Sequence, residues 1–117
     1  MIDQKAKDLG RLIGQSPEYQ AVKRANESLH NDRDAVTSLN RMETLRQEAQ
    51  RLLAQGTEPS DAMERELDDL LTKVQASPAY QMAISAQENF DKLMLQVNGW
   101  ISEGMKSGAA SPIITLG

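Results

Sequence analysis

A chain of 117 residues with a formal net charge of −4, no cysteine and only 3% aromatic residues is sized for one domain with a modest core. Without cysteine there is no disulfide framework, thiolate zinc site, cysteine-ligated iron–sulfur cluster or cysteine nucleophile. The acidic balance argues against direct nucleic-acid binding. The start lacks an apolar core behind a basic stretch and no apolar run reaches bilayer length, so neither signal peptide nor membrane insertion is expected and a cytoplasmic protein is.

Residues 2–14 carry Ile2, Ala6, Leu9 and Ile13 at spacings of four, three and four, the stripe of a short amphipathic helix. Ser16-Pro17 punctuates it, because serine can accept from free amides of the next turn and proline at a first helical position loses only an unpartnered amide. The next helix is expected to run from 17 to 54, since no Pro or Gly interrupts that stretch after Pro17 and Val22, Ala25, Leu29, Val36, Leu39, Met42, Leu45, Ala49 and Leu52 recur near helical spacing. Asp32 falls where that stripe calls for an apolar residue, and the register slips between Leu39 and Leu45, so an irregular hairpin arm is expected. The stretch QGTEPS at 55–60 then reverses the chain, with Gly56 suited to a left-handed stop and Pro59 to the start of the next helix.

A third helix over 60–76 has Met63, Leu67, Leu70, Leu71 and Val74 on its stripe. Glu58, Asp61, Glu64, Glu66, Asp68 and Asp69 crowd its first half. Acids there complement the helix dipole, so a solvated face is the first reading and an acidic docking patch for a basic partner the second. A fourth helix over 78–105 follows, with Ala83, Ala86, Phe90, Leu93, Met94, Val97, Trp100 and Ile101 forming the strongest stripe. The expected fold is all-α: four helices at about 2–14, 17–54, 60–76 and 78–105 form a helical hairpin or bundle with a long second helix. Residues 1–106 make the single domain, and 107–117 a tail that is either flexible or docked.

SPEYQ at 16–20 recurs as SPAYQ at 77–81, and the likeness extends to a preceding helix end and a following helix start. Two helix–break–helix corners explain this better than a five-residue catalytic motif. Ser16, Pro17 and Tyr19, with Ser77, Pro78 and Tyr80, are read as corner residues, each tyrosine turning back over the preceding helix end.

Chemistry is sparse. His30 is the only histidine, and a lone imidazole without cysteine is a poor transition-metal site. Asp32 and Asp34 lack the glycine turn and terminal glutamate of a calcium loop. No Walker loop, dinucleotide fingerprint or nucleophile elbow is present. No catalytic residue, cofactor or metal is therefore assigned, and a non-enzyme is expected. Six methionines and few large side chains imply a thin core and self-association, a dimer by default.

The segments AKDLGRLIGQSPEYQAVKRA, NESLHNDRDAV, LNRMETLRQEAQRLLAQG and SPAYQMAISAQENFDKLMLQVNGWISEGM resemble the YlbF/YmcA family of small bacterial helical proteins, which includes YheA-like members. The likeness covers roughly 3–106 and rests on helical pattern. It implies a hairpin-containing helical fold, dimers or higher assemblies, and regulatory work in competence, sporulation and biofilm formation. Some members are accessory factors in a complex associated with RNA processing by a membrane-anchored ribonuclease. Some also carry cysteines linked to iron–sulfur clusters, a cofactor not carried over to a chain without cysteine.

The resulting expectation is a non-enzymatic regulatory adaptor acting through protein contacts. Its candidate interface residues are Trp100, Met82, Glu58, Asp61, Glu64, Asp68 and Asp69. Its expected partners are itself, related helical proteins or a ribonuclease complex. The alternative is a self-assembling structural or chaperone-like helical protein. A secreted Trp-x-Gly hairpin is disfavoured, because the turn at 55–60 has no tryptophan and the order at 99–100 is Gly-Trp.

Overall fold

The structure, a computed structural model, describes residues 1–116, with side chains through Ala110. Five α-helices occur among the described residues: α1 (Ile2–Gly14), α2 (Pro17–Asn31), α3 (Arg33–Ala54), α4 (Asp61–Gln75) and α5 (Pro78–Leu116). The all-α class holds, but the four-helix architecture does not, because the expected helix over 17–54 is two helices. Asp32 leaves the helix at φ −87° and ψ 94°, ending α2 and opening α3 as its N-cap, where its side chain accepts from the Ala35 amide. Aspartate is among the best N-cap residues and needs neither proline nor glycine beside it. The polar fault in the stripe was thus a helix boundary rather than an irregularity within one helix.

The expected helix over 78–105 is also too short, since α5 continues to Leu116. A glycine inside a helix costs only about 1 kcal/mol relative to alanine, so Gly104 and Gly108 do not stop it. The question of a flexible or docked tail over 107–117 concerns side chains that, from 111 on, lie outside the described residues.

The helices form two antiparallel pairs end to end: α2 packs on α5, α3 packs on α4, and α1 meets the body chiefly through α2. The α3–α4 reversal is a Schellman stop: Gly56 sits at φ 78°, its amide donates to Leu53 O at 3.0 Å, and the Thr57 amide donates to Leu52 O at 2.8 Å. Ser60 then caps α4 by accepting from the Met63 amide.

The result is long and thin, 69 × 37 × 20 Å with a radius of gyration of 21.6 Å, against about 13 Å for a compact domain of this length. Each helix can therefore cover only one side. The buried core is Ala25, Ala35, Leu45, Val74, Ala86 and Val97, of which only Leu45 and Val74 are fully enclosed. These two side chains hold the α3–α4 pair, so Leu45→Ala should destabilise the chain by about 2–5 kcal/mol in urea unfolding. A loss under about 1 kcal/mol would show that α3 and α4 collapse onto the vacated space.

Candidate functional site

The most organised polar geometry lies where both arms break at the same level. Asp32 stands between α2 and α3, and Ser77 between α4 and α5. The Asp32 carboxylate is engaged through both oxygens: Oδ1 accepts from the Ala35 amide at 3.1 Å, and Oδ2 accepts from the Ser77 hydroxyl at 2.9 Å. Ser77 Oγ in turn accepts from the Tyr80 amide at 3.3 Å. One chain of hydrogen bonds therefore caps α3, caps α5 and ties the arms together. The carboxyl of Asp32 is held below the usual aspartate range, first by the Ala35 amide and then by the Ser77 hydroxyl. Asp34, Ala35, Ser38 and Lys73 join Asp32 and Ser77 around an open concavity of about 690 Å³.

The repeated pentapeptides sit at the α1–α2 and α4–α5 corners. Ser16 Oγ accepts from the Tyr19 amide at 3.2 Å, as Ser77 does from Tyr80, and Pro17 and Pro78 take the first helical positions. The closing glutamine has a role that sequence reasoning missed: Gln20 Nε2 donates to Gly14 O at 2.8 Å, and Gln81 Nε2 donates to Gln75 O at 2.7 Å. Each glutamine reaches back six residues to a carbonyl at the end of the previous helix, which has no intrahelical partner. Its recurrence in both copies was the available signal. Tyr19 meets Phe90 of α5 edge-on at 5.6 Å, a contact that orients the first corner on the body.

The candidate interface residues are not gathered into one site. Met82 and Trp100 are 60% and 59% exposed. They stand 18 positions apart on α5, five helical turns, and so share a flank about 27 Å apart. Glu58 lies in the α3–α4 turn, while Asp61, Glu64 and Asp68 share one exposed side of α4 and Asp69 falls on another. Glu66, from the same acidic run, is instead committed inward to α3, where Arg41 Nε and the neighbouring guanidinium nitrogen reach its two oxygens at 2.7 and 3.1 Å. That bidentate pair lowers the Glu66 carboxyl's pKa, through hydrogen bonding first and charge attraction second. His30 is exposed. Among the described residues no group of three or more His, Cys, Asp or Glu could hold a metal ion, and no helix is long and apolar enough to cross a membrane.

The sequence profile of a family described as "Control of competence regulator ComK, YlbF/YmcA" matches residues 2–106. A UPF0342 protein of Desulfitobacterium hafniense (strain Y51) is 28% identical over 104 residues, covering 89% of this chain and 79% of that protein. A UPF0342 protein of Limosilactobacillus reuteri (strain DSM 20016) is 24% identical over 97 residues, covering 83% and 79% respectively.

Two measurements test the joint. A carboxyl with a lowered folded-state pKa contributes stability that is fully present above its unfolded-state value and is lost as pH falls through the folded value. The melting-temperature gap between the parent chain and Asp32→Asn should therefore be constant above about pH 5 and close below about pH 4. The other carboxyls with lowered pKa, Asp3, Glu43 and Glu66, are common to both proteins and cancel. A gap unchanged down to about pH 2.5 would remove the carboxylate from the account. Separately, Ser16→Ala should cost about 1 kcal/mol as a lost N-cap, and Ser77→Ala more, because it also leaves Asp32 without its partner across the arms. Equal costs in chemical denaturation would mean that the inter-arm bond adds nothing.

Proposed function

Since the chain belongs to the YlbF/YmcA family, we propose that it is a cytoplasmic, non-enzymatic regulatory adaptor that acts by binding other proteins along its helical flanks. The observation that carries this reading is the exposed pair Met82 and Trp100 on one flank of α5. Large, well-exposed apolar side chains in line along a helix suit an amphipathic helix or helical hairpin laid alongside. The acidic side formed by Asp61, Glu64 and Asp68 adds a place for a basic rim. The partners proposed are related helical proteins or a ribonuclease complex, as the family resemblance implies, with regulation in competence, sporulation, biofilm formation or RNA processing as the outcome.

The test places a photo-crosslinking side chain at position 82 or 100 in cells. Adducts with a related helical protein or a ribonuclease support the adaptor, and their loss in Met82→Glu or Trp100→Glu locates the contact. Because both positions are exposed, these substitutions should change unfolding free energy by no more than about 0.5 kcal/mol. No adduct with another protein at either position would overturn the reading.

A second reading, self-association, is favoured by the surface area. The chain exposes 9105 Å², whereas a compact monomer of this mass exposes about 6,300 Å². An adaptor built as a dimer and a purely structural assembly are both compatible with that excess. The crosslinks above separate them, since a purely structural assembly yields adducts of the chain with itself alone.

A further inference from the structure

We infer that the cleft between α1 and the distal part of α5 is closed by the same cleft of a second copy of this chain. The inference deepens the self-association reading and rests on it, but it concerns where the copies meet.

The inner stripe of α5, which runs through Ala86, Phe90, Leu93 and Val97 against α2, does not stop where α2 begins at Pro17. At the same helical spacing it continues as Ile101, Gly104, Met105 and Gly108. Every residue from 98 to 110 is nevertheless exposed, with Ile101 at 44% and Met105 at 69%. Isolated helices are marginal in water, and glycines make them more so. A Cβ added at Gly104 or Gly108 would meet nothing in this chain, so intrachain packing does not account for either glycine. What remains is a partner-facing stripe without a partner.

The opposite wall is α1. None of its residues is buried, and Ile2 is 87% exposed although it leads the stripe Ile2, Ala6, Leu9 and Ile13. Met1, Ile2, Ala6 and Leu9 line one groove of about 820 Å³ together with Ile101. Two apolar walls open to water form half of a helical bundle.

The exposed area of the whole chain leaves room for a second copy as the occupant. The excess over a compact monomer is about 2,800 Å², enough to supply the roughly 1,000–2,500 Å² that each protomer of an obligate homodimer buries, and well above the roughly 800 Å² per partner of a standard interface. The object that fits an apolar cleft is an apolar ridge on a helix, and this chain carries one on α1. Twofold pairing lets each copy offer its ridge to the other's cleft, giving a bundle from two α1 and two distal α5 segments.

The full chain, which has no cysteine of its own, permits clean single-cysteine tests. Sedimentation equilibrium should give at least twice 12.9 kDa. Under mild oxidation Ile101→Cys or Met105→Cys should form a disulfide-linked dimer, and mixed Ile2→Cys and Ile101→Cys chains a heterologous one. Leu95→Cys, exposed on the opposite side of α5, should stay uncrosslinked. Ile101→Asp should return the mass to 12.9 kDa with helical circular dichroism unchanged; should it unfold, the cysteine variants still decide. A doubled mass with crosslinking confined to Leu95→Cys overturns the location and leaves self-association standing. A mass of 12.9 kDa for the parent chain overturns both.

Discussion

Two helices packed antiparallel can change direction only if both are interrupted at the same height, and the Asp32–Ser77 hydrogen bond marks that height here. If one arm broke alone, the unbroken helix would lose its partner's stripe beyond the break. With both broken, α2–α5 and α3–α4 each keep their own register, while the slip between Leu39 and Leu45 lies within α3 and is not explained by the break. The cost is two fresh helix starts and two fresh helix ends, whose amides and carbonyls lack intrahelical partners. Asp32, Ser77 and Gln81 meet those needs within a few residues, and no buried side-chain nitrogen or oxygen among the described residues lacks a partner.

The same two-helix width determines what the core can be. Ala25, Ala86 and Val97 supply the buried positions between α2 and α5, while the two fully enclosed side chains, Leu45 and Val74, lie on α3 and α4. Small side chains let helix axes approach closely but bury little area. The larger apolar residues of α1 and α5 then have no interior to enter, and Ile2, Met82, Leu95, Trp100 and Met105 remain in solvent. The exposed apolar surface thus follows from the architecture.

The parts of the fold that were legible in the sequence are those marked by residues with strong backbone consequences. Ser-Pro fixed the α1–α2 and α4–α5 corners, and Gly56 fixed the reversal. Asp32 was noticed but misread, because aspartate breaks a helix only when its side chain takes over as the cap. Nothing in the polar run from 30 to 34 distinguishes that from a solvated helical turn. The end of α5 was placed too early because Gly108 weakens a helix without ending it. Among the candidate interface residues, the shared flank of Met82 and Trp100 follows from their spacing alone. The inward use of Glu66 depends on Arg41, twenty-five positions away, and no local pattern announces it.

The two pentapeptide corners show where local sequence stops and tertiary context begins. Serine, proline and glutamine do the same capping work in both, yet the serine hydroxyl protons go to different places: Ser16 donates to Ile13 O at 2.6 Å, within its own corner, and Ser77 donates to Asp32 on the other arm. The second corner is therefore tied across the molecule by a charge-assisted bond, whereas the first is oriented on α5 through the Tyr19–Phe90 contact. An aromatic edge contact constrains direction less than a hydrogen bond to a fixed carboxylate. The helix that precedes the looser corner is α1, which has no buried residue, so the corner tied across the molecule closes the body while the other leaves a wall of it open.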